Sequence, residues 1–192
     1  NTKVFVSVYN GGNLEVYGIQ NGDPLSDWNG ETIASILDPH DTPSHHPMLP
    51  SIVIADITTD SGKELLVPQP SATVDDDAQL HLFKLDGTYA SGWSTYDLLG
   101  GGDMDATPAV GDIDDDGDLE IVAVTWKDPG WSEDEITHVW AIGNDATQEW
   151  HTEYDTESGG GDWDDDEHAI SSPILAVIYN DDGVNNLDVF TC

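Results

Sequence analysis

The sequence predicts an all-β fold assembled from repeated units, and three observations carry that prediction. First, one strand-turn-tryptophan element recurs: Leu14 to Trp28 (LEVYGIQNGDPLSDW), Leu80 to Trp93 (LHLFKLDGTYASGW) and Thr137 to Trp150 (THVWAIGNDATQEW). Second, an acidic turn within Thr107 to Thr125 (TPAVGDIDDDGDLEIVAVT) is preceded by Pro108–Gly111 and followed by a β-branched run, the surroundings of a turn between strands. Third, the apolar residues alternate with a period of two, and no segment carries a helical period.

The elements follow in order. Thr2 to Asn10 (TKVFVSVYN) alternates like a strand, and Gly11-Gly12-Asn13 turns it into the first copy of the repeated element. Asp38 to Pro50 (DPHDTPSHHPMLP) is a proline-rich connection. SIVIADITTDSGKELLV, from Ser51, reads as strand, acidic turn and strand, and the second Trp-ended element follows it. Downstream of the second and third copies sits a further repeated pair, GGGDMD from Gly100 and GGGDWD from Gly159. Asp128 to Glu135, with Trp131, reads as an exposed loop. No linker interrupts the chain, so residues 1–192 are expected to form one domain, with approximate repeat units 1–50, 51–106 and 107–171, and 172–192 beginning a further unit. Trp28, Trp93 and Trp150 are expected at equivalent positions, each packing against the neighbouring unit.

The acidic turn has a specific chemistry. Asp112, Asp114 and Asp116 alternate, Gly117 follows, and Glu120 stands where the apolar run Ile121–Val124 begins. Alternating carboxylates on a tight turn converge on one point and repel one another unless a hard cation sits there; Ca²⁺ takes a cage of six to eight oxygens. The expected ligands are Asp112, Asp114, Asp116 and Glu120, with the carbonyl of Asp118. An EF-hand is excluded, because its twelfth place is Ala123 and no helices flank the loop. Counting back 56 residues gives a reduced copy, Asp56, Thr58, Asp60 and Glu64, which leaves weak calcium binding or a bare turn open. In the third copy, from Ser171, Val177 and Tyr179 replace the first and third ligands, so that copy is expected to have lost the metal.

PAVGD followed by DxDxDGxxE and an apolar strand resembles the FG-GAP or VCBS-type repeat of integrin alpha-chain-like propellers. The resemblance implies a β-propeller-type array of about three four-stranded blades, with calcium in the loop between a blade's first two strands. Closed propellers need about four to eight blades, so a larger propeller or an assembly is implied. The ends match: Thr2–Asn10 and the C-terminal LDVFT both correspond to the strand after the acidic turn, which suggests a fragment or a subunit that self-assembles through its terminal strands. Thr137–Trp150 also loosely resembles quinoprotein blades, but the calcium loop and the lack of a Thr-Gly-Lys turn speak against that family.

Charge excludes partner classes. Asp and Glu number 39 against four lysines and no arginine, a net charge of −35, and only six of these acids lie in the main loop. The acids run through every segment, which suits a folded, salt-adapted (halophilic) domain better than an acidic tail. Nucleic acid and anionic membrane surfaces require basic patches that four scattered lysines cannot make, and no segment has the apolar length of a membrane span. One cysteine, Cys192, gives no internal disulfide, and a start at Asn1 suits a processed or excised product. Calcium loops are best supplied outside the cell, so an extracellular or cell-surface location is expected.

Other candidates are less specific. His40, Asp41, His45 and His46 cluster in the proline-rich connection, where irregular backbone gives the rings no common facing. Asp162, Asp164, Asp165, Asp166 and Glu167 could form a second cation cluster or a solvated loop. Trp126, Trp131 and Trp163 do not recur and suit a contact surface. No G-x-S-x-G, phosphate-binding or H-E-x-x-H motif is present, so no catalytic residues are assigned and the chain is not expected to be an enzyme. The expected function is a calcium-stabilised binding, adhesion or surface-structure module for other protein chains or a cell-surface or polysaccharide ligand. The alternative is the non-catalytic or substrate-binding part of a secreted polysaccharide-degrading enzyme. Self-repulsion should be screened as the Debye length falls to about 3 Å at 1 M salt, so with calcium saturating the melting temperature should be markedly higher in about 2 M than in about 50 mM NaCl; equal values would contradict salt adaptation.

Overall fold

The computed structural model describes residues 2–35, 49–71, 77–127, 135–156, 172–177 and 187–190, and every regular element among them is a β-strand. The first sheet is the meander β1 (Lys3–Asn10), β2 (Asn13–Gln20) and β3 (Asp23–Ser35). The second is β4 (Val53–Ala55), β5 (Glu64–Gln69), β6 (Gln79–Lys84) and β7 (Tyr96–Asp97). The third is β8 (Ala109–Gly111), β9 (Glu120–Lys127), β10 (Glu135–Ile142) and β11 (Gln148–Thr156). A pair, β12 (Ile174–Val177) and β13 (Leu187–Phe190), follows. All neighbours are antiparallel and no sheet is closed.

Local chemistry sets these meanders. In the first sheet Asn10 pairs with Asn13 and Gln20 with Asp23, so both hairpins have two-residue loops. Their loop residues Gly11, Gly12, Asn21 and Gly22 all have positive φ. That is the mirror-image turn whose twist matches the strands, and Gly and Asn enter it at least cost. Pro68 lies inside β5, but beyond Val53–Ala55, the span over which β4 pairs. There β5 has a single neighbour, so a residue without N–H is tolerated.

The sheets stack face to face, and the central strands of the second and third sheets divide their side chains between two neighbours. Leu65, Val67 and Phe83 pack with Leu14, Val16 and Trp28 of the first sheet. Leu66, Leu80 and Leu82 pack instead with Ile121, Ala123, Trp140 and Ile142 of the third. Val122, Val124, Val139 and Ala141 turn away from the second sheet and pack against Leu175 of β12. This is why ELLVPQ is buried at all six positions. Each fully buried aliphatic side chain contributes about 1.5–3 kcal/mol.

Two bonds repeat between successive sheets. The Ser51 N–H donates to Thr107 Oγ1 (2.8 Å), and the Thr107 N–H donates to Ser172 Oγ (3.1 Å), so a hydroxyl ladder precedes β4, β8 and β12. At the opposite end Trp28 Nε1 donates to the Leu85 carbonyl (3.0 Å) and Trp93 Nε1 to that of Asn144 (2.7 Å). These acceptors occupy the same place in matching turns. Gly87 N–H bonds to Lys84 and Ala146 N–H to Gly143, both at 3.0 Å, and Thr88 and Thr147 each donate N–H to the preceding Asp at 3.0 Å.

Trp150 departs from the expected equivalence. Trp28 and Trp93 are buried, but Trp150 is 37% exposed. Trp150 stands in β11 opposite Ala141, beside a bulge, and so on the face that turns away from the second sheet toward Leu175 of β12. Trp28→Ala should therefore cost about 3–5 kcal/mol, and Trp150→Ala about 1 kcal/mol or less, in chemical denaturation.

Candidate metal centre

The acidic loop lies between β8 and β9, as the sequence predicts, and its backbone is fixed by its own carboxylates. Gly117 N–H donates to Asp112 Oδ2 (3.1 Å), Asp116 N–H to Asp114 Oδ1 (3.2 Å) and Asp118 N–H to Asp116 Oδ1 (2.9 Å). Asp115 and Gly117 have positive φ, 63° and 97°, and no atom lies near a Cβ placed on Gly117. The glycine is therefore needed for the backbone conformation, not for space. Ile113, between the first two ligands, is buried against Ala106, Val122 and Val124 and anchors the loop in the core.

The fold brings together Asp112, Asp114 and Asp116, which can offer carboxylate oxygens all within 4.8 Å of one another. Asp112 Oδ1 is buried with no hydrogen-bond partner among the described residues, which fits an oxygen reserved for a cation. Glu120 is 1% exposed and is not a member of that close group; its Oε2 accepts the Ile113 N–H at 2.7 Å. Burial, before any other influence, raises its carboxyl above the usual range, and the charges of Glu149, Asp114 and Asp116 add to this against the Ile113 bond. The Asp118 side chain is exposed.

The second loop repeats the frame without the convergence. Glu64, also 1% exposed, accepts the Ile57 N–H at 2.7 Å, as Glu120 does from Ile113. Here, however, Thr58 Oγ1 donates to Glu64 Oε1 (3.2 Å) and Asp60 Oδ2 accepts the Ser91 N–H (2.7 Å). Two of the expected ligands are thus engaged elsewhere, and Asp56, Asp60 and Glu64 form no close group.

Glu149 escaped the sequence reading. Its carboxyl is raised, by desolvation first and then by the charges of Asp114, Asp116 and Asp145. Gly143, just beyond Ile142 of β10, leaves it room: a Cβ on Gly143 would stand 3.0 Å from Glu149 Oε1. Its tie to the loop is one of charge, so spacing along the chain holds no signal for it.

Other expected sites fare differently. Trp126 is half-buried, with Nε1 donating to Asp105 Oδ2 (3.0 Å), which makes it a packed residue. His40, Asp41, His45, His46, Trp131, Trp163 and the acids Asp162, Asp164, Asp165, Asp166 and Glu167 lie outside the described residues. Of GGGDMD, Gly101 has no room for a side chain against Thr125 and Trp140, and the Gly100 and Gly102 N–H groups donate to Asp77 (2.8 and 3.2 Å). That motif is a packing device.

No family model, curated protein or solved structure matches this chain.

The histidine of the second sheet shows what a satisfied buried ring looks like. His81 Nε2 meets Gln69 Oε1 (2.8 Å) and Nδ1 meets the Tyr89 hydroxyl (2.9 Å), partners that select the neutral Nε2–H tautomer. Burial lowers its pKa from 6.5 to about 4, against the opposing charge of Asp97. Since the unfolded chain binds the proton first, the associated stability is complete above pH 6.5 and is lost as pH falls through about 4. The loss is about 3 kcal/mol. NMR titration of the His81 ring should give a midpoint near 4; an ordinary midpoint would contradict the packing described.

Proposed function

We propose that this chain is a calcium-stabilised, β-propeller-type repeat module that works outside the cell in binding, adhesion or surface structure. The observation that carries the reading is the loop itself: three convergent carboxylates, one with a buried oxygen that meets no partner among the described residues, on a backbone already folded around them. A hard divalent cation cancels their repulsion and replaces missing hydrogen bonds, while the protein supplies oxygen ligands alone. Asp112, Asp114 and Asp116 hold the ion, the Asp118 carbonyl completes the loop, and Glu120 and Glu149 add charge behind it. The ion's contribution is rigidity between β8 and β9.

The propeller reading rests on the order of the sheets. Antiparallel sheets of three, four and four strands and then a pair succeed one another along the chain, and the first strands β4, β8 and β12 of the last three are neighbours, as first strands are around a propeller axis. Its role as a contact module is supported by the outer face of the first sheet. Val4, Val6, Val8 and Ile19 share that face and are 37–53% exposed, a row of apolar side chains without cover. Uncovered rows of this kind mark association surfaces.

Calorimetric titration with CaCl₂ in molar NaCl tests the proposal. One cation should bind, and the melting temperature should rise with calcium, by the equivalent of about 2.7 kcal/mol at a hundredfold excess over Kd. Asp114→Ala should remove most of both effects, while Asp60→Ala should leave them in place. Absence of binding heat and of any calcium-dependent stabilisation in the wild-type chain would overturn it.

A further inference from the structure

The third sheet carries a cluster whose donors differ in kind from those of the acidic loop. In the β10–β11 register His138 faces Glu153 and Trp140 faces His151, so all four side chains share one face of the sheet. His138 and His151 are diagonal neighbours there, and His138 Nδ1 lies 2.9 Å from His151 Nε2. Glu153 Oε1 is 3.8 Å from the same Nδ1, and the three donors all lie within 4.8 Å of one another. Trp140 stacks on His151 with centroids 3.8 Å apart and planes 10° from parallel, which fixes the ring that carries the second nitrogen.

We propose that His138, His151 and Glu153 form a binding site for Zn²⁺, separate from the acidic loop. Two imidazoles and one carboxylate are a borderline donor set that suits Zn²⁺ and its neighbours and does not suit Ca²⁺. Tetrahedral Zn²⁺ with bonds of about 2.0–2.2 Å separates adjacent donors by about 3.3 Å, between the two separations present here.

His138 contrasts with His81, both of whose nitrogens have protein partners. It is 4% exposed, and among the described residues its buried Nε2 meets no partner, so the ring's hydrogen bonding rests on the Nδ1 contact with His151. Coordination of His138 Nδ1 and His151 Nε2 to one cation removes the competition of these two nitrogens for one hydrogen. Half-buried His151 and exposed Glu153 leave a route from solvent and a fourth position for water.

The test is Zn²⁺ titration of the full chain by calorimetry, with calcium saturating and in molar NaCl so that exposed carboxylates compete little. One Zn²⁺ should bind, His151→Gln and His138→Gln should each weaken binding by about tenfold or more, and a His40→Gln/His45→Gln/His46→Gln variant should bind as wild type. His151→Gln serves if the buried His138 variant fails to fold. Cu²⁺ as a spectroscopic probe should show two coordinated nitrogens by electron paramagnetic resonance, reduced to one in His151→Gln. No Zn²⁺ binding, or binding that survives His151→Gln and is lost in the triple variant, overturns the proposal.

Discussion

The constraint on which this structure depends is that the central strands of its second and third sheets have no outer face. Leu65 and Val67 of β5 pack on the first sheet while Leu66 packs on the third, and β9 divides Ile121 and Ala123 from Val122 and Val124 in the same way. A strand of this kind cannot alternate apolar with polar residues, so it reads as a short unbroken apolar run. A one-residue slip in register would exchange the two faces and misplace every contact at once. Polar groups are therefore driven to the strand ends, where the repeated bonds are found. Hydroxyls before β4, β8 and β12 join the sheets along one seam, and tryptophan N–H groups join them at the other.

The same constraint explains what could be read from sequence. The strand-turn-Trp elements and the acidic turn were legible because local chemistry determines them: glycine and asparagine where φ is positive, carboxylates alternating around a glycine. Their sheets follow in the predicted order. Trp150 misled because its identity repeats while its burial does not: it faces away from the second sheet, on the side of β12. Glu149 could not be found from spacing because its tie to the loop is one of charge, nor could the pair His138 and His151, because strand pairing alone brings them together. The hydroxyl ladder had a signal, a Ser or Thr five residues before the first loop position in each copy, but its meaning lies between sheets.

Acidic residues serve two opposite purposes here. Glu64 and Glu120 are almost wholly buried, and each accepts the N–H of an isoleucine at the start of its loop, at 2.7 Å in both. They close the turn whether or not the remaining ligands converge, which is why the second loop keeps the shape after losing the cluster. Asp112, Asp114 and Asp116 instead add negative charge at one point, a cost that the fold alone leaves uncompensated. A chain of net charge −35 is poorly placed to tolerate that concentration without cations.

Loop and array are mechanically one object. Ile113 fixes the loop to the core shared by the third sheet and Leu175, and Glu120 ties the same residue's N–H to the start of β9. On the other side β8 is only three residues long, and Thr107 just before it bonds both Ser51 and Ser172. A cation that stiffens Asp112–Asp116 thus restrains β8 at one end while the hydroxyl ladder restrains it at the other. Charge neutralisation at an exposed turn acts on the inner seam of the stack through a strand too short to absorb the change. On this argument the stabilising effect of the proposed cation extends to the contacts between sheets, beyond the loop proposed to bind it.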